Sequence, residues 1–213
     1  MANEVFEYRG VEGLVFAEVT GDDNETDGGY KTGAVESLAP VAEIGKTVET
    51  SSESHYYDNV PLITIQGEGP DEISIRCAGL TLEKLAKITG RSYDPETGAL
   101  VEGPRVTRHF AIGYKTKDSD GKYRYVWRLK GTFAIPADTN ATEDDGTEAN
   151  GTELTFTGIY TNHIFTKGKR VADGWEKGPA KGLVVSDREG LADLSTFFET
   201  VTTPDSLKAK GAA

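Results

Sequence analysis

Apolar and polar residues alternate in several short runs along this chain, which is the pattern of strands that bury one face and expose the other. Residues 14–20 form the first run, and the stretch after them, rich in Asp, Asn and Gly, indicates a long exposed loop. Residues 61–66 and 72–77 form two more runs, and the Gly-Glu-Gly-Pro segment between them predicts that they are the two strands of one hairpin. The pattern as a whole predicts an antiparallel, mainly β protein.

The strongest local signal is a hairpin that joins residues 108–116 to residues 122–130 through an Asp-Ser-Asp-Gly turn. In its second strand, a period of two predicts one aromatic face and one basic face. The aromatic face consists of Tyr123, Tyr125, Trp127 and Leu129, and the basic face of Arg124, Val126, Arg128 and Lys130. Residues 132–135 extend this strand, and residues 153–166, rich in Thr, Ile, Phe and Tyr, predict a further long strand.

Two segments are expected to be helical. The first spans residues 81–90, begins with a threonine N-cap, and places Glu83 one turn from Lys87. The second begins with a capping box at Ser186 and stops before Pro204. Their apolar positions are Leu82, Leu85, Ala86 and Thr89 in the first helix and Leu191, Leu194 and Phe198 in the second.

Length and composition suit one folded domain. The chain has 213 residues, of which 37% are hydrophobic and 27% charged, a balance that can supply a core. We expect a single domain over residues 1–204 and a flexible tail over residues 205–213. Long loops are expected at about residues 21–30, 45–59 and 137–152. The single cysteine, Cys77, cannot form an internal disulfide, and no apolar run approaches the ~18 residues of a membrane span.

The net charge of −12 is unevenly distributed. Residues 1–60 hold 13 acidic and 3 basic side chains, residues 105–130 hold 2 acidic and 8 basic ones, and residues 138–153 hold 6 acidic and no basic ones. A negative total of this size disfavours tight binding to nucleic-acid phosphates. Complementary patches either attract other copies head to tail or neutralise each other within one fold, and the sequence leaves both interpretations open.

No arrangement of residues indicates catalysis, a metal or a cofactor. His55, His109 and His163 lack metal-ligand spacing, and Cys77 lies on the apolar face of a predicted strand, where we expect a core residue. The acidic stretch that begins at Asp23 starts like a calcium loop but lacks the carboxylate required at the twelfth position. We therefore expect a binding or structural role and not an enzyme.

Several segments together resemble the major tail protein, or tail tube protein, of long non-contractile-tailed phages that infect Gram-positive bacteria. Their order and spacing carry the resemblance, which covers about residues 10–165. The segments are Leu38-Ala39-Pro40, Ile44-Gly45, Glu49 to Glu53, Tyr57-Asp58-Asn59, Ala78 to Lys87, Gly90, Tyr93-Asp94, Gly98, Ala111 to Tyr114, Asp120 to Trp127, Lys130-Gly131 and Leu154 to Thr157.

The resemblance implies an antiparallel β-sandwich or barrel-like tube domain with a flanking helix, whose copies form hexameric rings that stack into a tail tube. DNA would pass through the lumen without being bound. The tape-measure, tail-tip and tail-terminator proteins of the phage would be partners, and the protein would be made in the host cytoplasm and belong to the virion, with no cofactor and no membrane. Subunit contacts are expected around residues 45–59 and 22–30. The candidate interface residues are Glu49, Glu53, Tyr57 and Asp58, together with Arg124 and Arg128 from the basic hairpin face.

Two other interpretations remain. A carbohydrate-binding β-sandwich would stack Trp127, Tyr160 or Trp175 on a sugar, although aromatic residues on strands are more often core residues. A different phage part, such as a head-surface or tail-terminator protein, would form a closed ring or trimer and never a filament.

Overall fold

The described residues of the computed structural model, 5–23, 29–57, 60–137 and 151–211, are mainly strands. Within these ranges the chain forms thirteen strands and one helix. The strands are β1 (Tyr8–Asp22), β2 (Tyr30–Thr32), β3 (Glu36–Ser37), β4 (Val41–Tyr57), β5 (Val60–Cys77), β6 (Ser92–Asp94), β7 (Ala99–Val101), β8 (Phe110–Asp118), β9 (Tyr123–Phe133), β10 (Thr152–Gly158), β11 (Phe165–Val171), β12 (Gly174–Gly178) and β13 (Gly182–Ser186), and the helix is α1 (Leu82–Thr89). In the same ranges, no helix is long and apolar enough to cross a membrane.

One antiparallel sheet organises the molecule, which confirms the predicted mainly β, antiparallel fold. Its strands follow the order β2-β1-β8-β9-β10-β5-β4, and β3 and β13 pair with β1 and β9. One edge of β9 pairs with β8. The other edge is shared, because residues 124–128 pair with β13 and residues 131–133 pair with β10. The sheet therefore divides at β9, which is its central strand.

The main sheet buries side chains on both of its faces. One core combines residues of β1, β8 and β9 with residues of β5 and β10, so the sheet curves around it, and Ile88 of α1 packs into the same cluster. The second core, on the opposite face, contains Trp127 and Leu129 of β9 and is covered by Phe165, Phe197 and Val201. The predicted aromatic face of β9 is therefore an interior face.

The predicted basic face of β9 is also covered and does not form an open cationic surface. Val126 belongs to the first core, and Lys130 is buried against the carboxylate of Asp22. Asp22 also accepts the backbone N–H groups of Asn162 and His163 at 2.8 Å each. The acidic end of β1 thus neutralises part of the basic hairpin within one subunit.

Helix α1 confirms the prediction for residues 81–90. The Thr81 hydroxyl accepts the Lys84 N–H at 3.4 Å, and Gly90 ends the helix with φ of 71°, the left-handed conformation that glycine adopts without strain. The expected pair between Glu83 and Lys87 is wrong, because the Lys87 ammonium instead binds Glu36. The tertiary contact with Glu36 of β3 therefore replaces the ion pair expected within the helix.

The predicted C-terminal helix does not form. Ser186 is the last residue of β13 and pairs with Arg124, so it cannot cap a helix. In the segment that follows, Ala192 bridges to Ala209 and residues 195–201 form turns. Residues 205–211 are also not a loose tail. The Asp205 carboxylate accepts N–H groups from Thr166 and Lys167 at 2.9 Å, and Leu207 packs against the second core.

Phe197 fastens this C-terminal segment to the sheet. Its side chain is buried, and its carbonyl accepts the Trp127 indole N–H at 2.9 Å. We expect Phe197→Ala to lower the free energy of unfolding by about 3–5 kcal/mol, because the substitution empties a packed site. Urea unfolding measures the loss, with Leu191→Ala, at a side chain that is 72% exposed, as a control that changes stability by less than about 0.5 kcal/mol. Equal stabilities of the two variants would contradict the assigned packing.

Three further expectations concern strand ends and loops. The strand predicted over residues 153–166 is two strands, because β10 ends at Gly158 and β11 begins at Phe165. His163 consequently lies in the connection between them, and His109 immediately precedes β8. Residues 24–28 and 138–150 of the expected loops lie outside the described residues.

Candidate assembly surface

Strands β4 and β5 form one long hairpin along most of their length. Two sequence expectations are therefore wrong: residues 45–57 form strand instead of loop, and residues 61–77 form one strand instead of a hairpin. The Gly-Glu-Gly-Pro segment stays in the strand because β4 pairs beside it, with a register shift where Gly69 and Pro70 lie opposite Glu49. Gly67 has a steric role here, since a Cβ at this position would lie 2.6 Å from the hydroxyl of Ser51.

The outer half of this hairpin, residues 49–57 and 60–69, is called the arm below. Strand β10 pairs with β5 only from Asp71 to Cys77, so in the described residues the strands of the arm pair only with each other. At ~3.3 Å per residue, the segment 60–69 spans roughly 30 Å. Most of its side chains are exposed on both faces. The arm is thus a two-stranded ribbon beyond the core, and such ribbons are at best marginally stable when isolated.

One face of the arm carries exposed aliphatic side chains. Ile65 pairs with Glu53 and Ile63 with His55, so these four side chains share a face. Ile63 is 47% exposed and Ile65 is 57% exposed. On the other face, the hydroxyls of Ser54 and Thr64 lie 3.3 Å apart. The arm therefore exposes aliphatic side chains to solvent, on a face that also carries Glu53 and His55.

The arm is also acidic. Residues 47–75 contain Glu and Asp but neither Lys nor Arg. The candidate interface residues Glu49 and Glu53 lie exposed on the arm. Tyr57 ends β4, but its side chain and the whole of Asp58 lie outside the described residues. The interface role of all four residues remains a prediction.

A buried ionic cluster anchors the root of the arm. The Asp71 carboxylate is 1% exposed, with the Lys46 ammonium 2.8 Å from Oδ2 and the Lys181 ammonium 3.2 Å from Oδ1. The Arg128 guanidinium lies 3.8 Å from Oδ2. The Lys181 ammonium also donates to the Glu68 carboxylate at 2.7 Å and to the Gly69 carbonyl. These contacts join the arm to β9 and to the segment before β13.

This cluster predicts acid sensitivity. Burial raises the pKa of Asp71, but hydrogen bonds and charge attraction from Lys46 and Lys181 outweigh it and hold the pKa below its usual range. The carboxyl group of an unfolded Asp has a pKa of about 3.9. As the pH falls, the unfolded state therefore takes up a proton before the folded state does. The stabilisation that the Asp71 carboxylate contributes should be fully present above about pH 5 and should decrease below about pH 4. Urea unfolding at several pH values should give a shallower decrease for Asp71→Asn, and equal slopes would contradict this role.

The two arginines of the candidate interface make contacts inside the subunit. Arg128 belongs to the Asp71 cluster, with its side chain 12% exposed. The Arg124 guanidinium lies 4.0 Å from the ring centroid of Tyr8, and its Nε donates to the Thr116 hydroxyl at 3.2 Å. Their role between subunits stays a prediction, but reversing the charge of Arg128 would also disturb the fold.

Sequence reasoning missed Asp71, Lys181, Ile63 and Ile65. A signal for Asp71 was present, because it is in phase with Ile73, Ile75 and Cys77, and alternate residues of that run are buried. An acidic residue on an apolar face requires a cationic partner. Nothing local identifies that partner, since Lys181 is distant in sequence.

Other candidate chemistry is limited in the described part of the chain. No group of three or more His, Cys, Asp or Glu side chains there could hold a metal ion. Cys77 is a buried core residue, as expected, and burial raises the pKa of its thiol. Trp127 is fully buried, so of the three proposed sugar-stacking residues only Tyr160 and Trp175 are exposed.

No protein-family model matches this chain, and no curated protein matches it in sequence.

Proposed function

We propose that this chain is a structural subunit of a phage tail tube, built from stacked hexameric rings around a channel for DNA. The observation that carries the proposal is the arm. It extends a paired two-stranded ribbon beyond the core and leaves Ile63 and Ile65 about half exposed. Exposed apolar surface of this kind marks a site of protein association.

The edge of the main sheet gives further support. β4 is the last strand in the sheet order, and in the described residues only β5 pairs with it. A long unpaired edge offers N–H and C=O groups to a strand of another copy. Rings closed in this way would be stacked through the arms, which is a heterologous contact that can repeat without limit.

The charge of the chain suits a channel that DNA crosses without being held. A net charge of −12 repels phosphates, whereas a basic lumen would retain DNA by counterion release. The proposed partners are further copies of the chain and the tape-measure, tail-tip and tail-terminator proteins. The proposed location is the virion, and the proposed role is structural and not enzymatic.

Negative-stain electron microscopy and size-exclusion chromatography over a range of protein and salt concentrations test this function. Hollow filaments of uniform width, or rings that stack end to end, are expected. Closed rings or trimers that never stack would instead favour a tail-terminator or head-surface protein. A monomer at every concentration that binds glycans on an array would favour the carbohydrate-binding alternative.

A further inference from the structure

Strands β11 and β12 form a separate two-stranded sheet, called the Trp175 hairpin below. Trp175 pairs with Arg170, whose guanidinium lies 5.7 Å from the indole centroid, and Trp175 is 54% exposed. Because side chains alternate along a strand, Lys177 lies on the same face as Trp175. This face therefore presents an exposed aromatic ring beside two cations.

The opposite face of the Trp175 hairpin is different. There the Lys169 ammonium pairs with the Glu176 carboxylate at 3.7 Å. In the described residues, no ion pair within the subunit neutralises Lys177, which is exposed. The cationic character is thus concentrated on the face of the aromatic ring.

We infer that the Trp175 face is the receptor for the arm of a second copy of this chain, an inference that rests on the proposed function. The two surfaces match in chemistry: Ile63 and Ile65 offer aliphatic surface to the indole, and Glu53 on the same face offers a carboxylate to Arg170 or Lys177. Aromatic and arginine side chains are enriched at the centres of protein interfaces.

The exposure of both surfaces requires the contact to be between copies. If the arm packed on its own Trp175 hairpin, Ile63, Ile65 and Trp175 would be buried, but each is about half exposed within one subunit. A contact between two different surfaces of identical chains is heterologous and propagates. Every copy would donate one arm and receive one.

A charge exchange tests this pairing. Glu53→Lys alone and Lys177→Glu alone should each slow filament growth about tenfold at low salt, and the double variant should recover to within about threefold of the wild type. Glu199→Lys and Lys122→Glu, at exposed positions away from both surfaces, are the matched controls and should grow at the wild-type rate. Unchanged growth of the single variants, or a double variant that grows more slowly than either single variant, would overturn the pairing. Filaments of the wild-type protein would still support the proposed function in that case.

Cross-linking separates the two proposals when filaments are absent. A mixture of 14N- and 15N-labelled wild-type protein is treated with a carbodiimide, which joins carboxylates to amines, and linked peptides are identified by mass spectrometry. Peptides that join Glu53 to Lys177 of differently labelled chains support the contact even if no tube forms, in which case the tail-tube function fails alone. Links confined to single chains, or links from Glu53 to a lysine on another surface, such as Lys115 or Lys122, overturn the contact.

Discussion

Replacing Ile63 and Ile65 together by threonine is expected to raise the critical concentration for filament growth by about 30-fold. Each isoleucine is about half exposed in the subunit, so complete burial in an assembly contributes roughly 1 kcal/mol per side chain. Two side chains thus account for roughly 2 kcal/mol per contact, and each 1.4 kcal/mol is a factor of ten. Threonine keeps the β-branched shape that suits a strand.

The isolated subunit should be unaffected by this change. Substitutions at exposed positions alter the free energy of unfolding by about 0.5 kcal/mol or less. Val184→Thr is the matched control, because Val184 is a β-branched strand residue that is 49% exposed and lies outside the arm. Sedimentation of filaments over a concentration series gives the critical concentration. A threonine double variant that assembles like the wild type would show that the arm is not part of the interface.

Asp71→Ala is expected to lower the free energy of unfolding by about 3–5 kcal/mol. The carboxylate is the common partner of Lys46, Lys181 and Arg128, and Lys181 is itself only 8% exposed. Removing one side of a buried ion pair leaves charge without compensation, which is far more costly than breaking a surface pair. The arm should also lose its anchor, because Lys181 links Glu68 and Asp71.

Chemical denaturation measures the first effect and hydrogen exchange of residues 49–69 the second. Glu12→Ala is the control, because Glu12 pairs with Lys115 at 3.2 Å on the surface and is 51% exposed. That variant should lose less than about 1 kcal/mol. A loss of similar size in Asp71→Ala and Glu12→Ala would show that the cluster is not a structural anchor.

Local signals in the sequence predicted local structure well. The β8–β9 hairpin and α1 formed where turn residues, capping residues and periodicity all agreed. The arm could not be predicted in this way, because Gly67 and Pro70 have the chemistry of a turn, yet pairing with β4 overrides it. Ser186 similarly has the chemistry of an N-cap, but pairing with Arg124 places it in a strand.

The candidate surface was predictable only in part. The resemblance to tail tube proteins points to Glu49 and Glu53, and both lie exposed on the arm. The predicted basic hairpin face points to Arg128, but its partner Asp71 is distant in sequence and comes close to it only in the folded chain. The exposure of Ile63 and Ile65 could not be predicted for the same reason. Alternation indicates that one face of a strand is apolar, but it does not show which part of that strand pairs with β10.

Cryo-electron microscopy of wild-type filaments tests the central claim most directly. The account predicts sixfold rings around an open channel, with Ile63 and Ile65 of each arm buried against a neighbouring copy. Filaments without a channel, or arms that remain exposed to solvent in the assembled state, would contradict it.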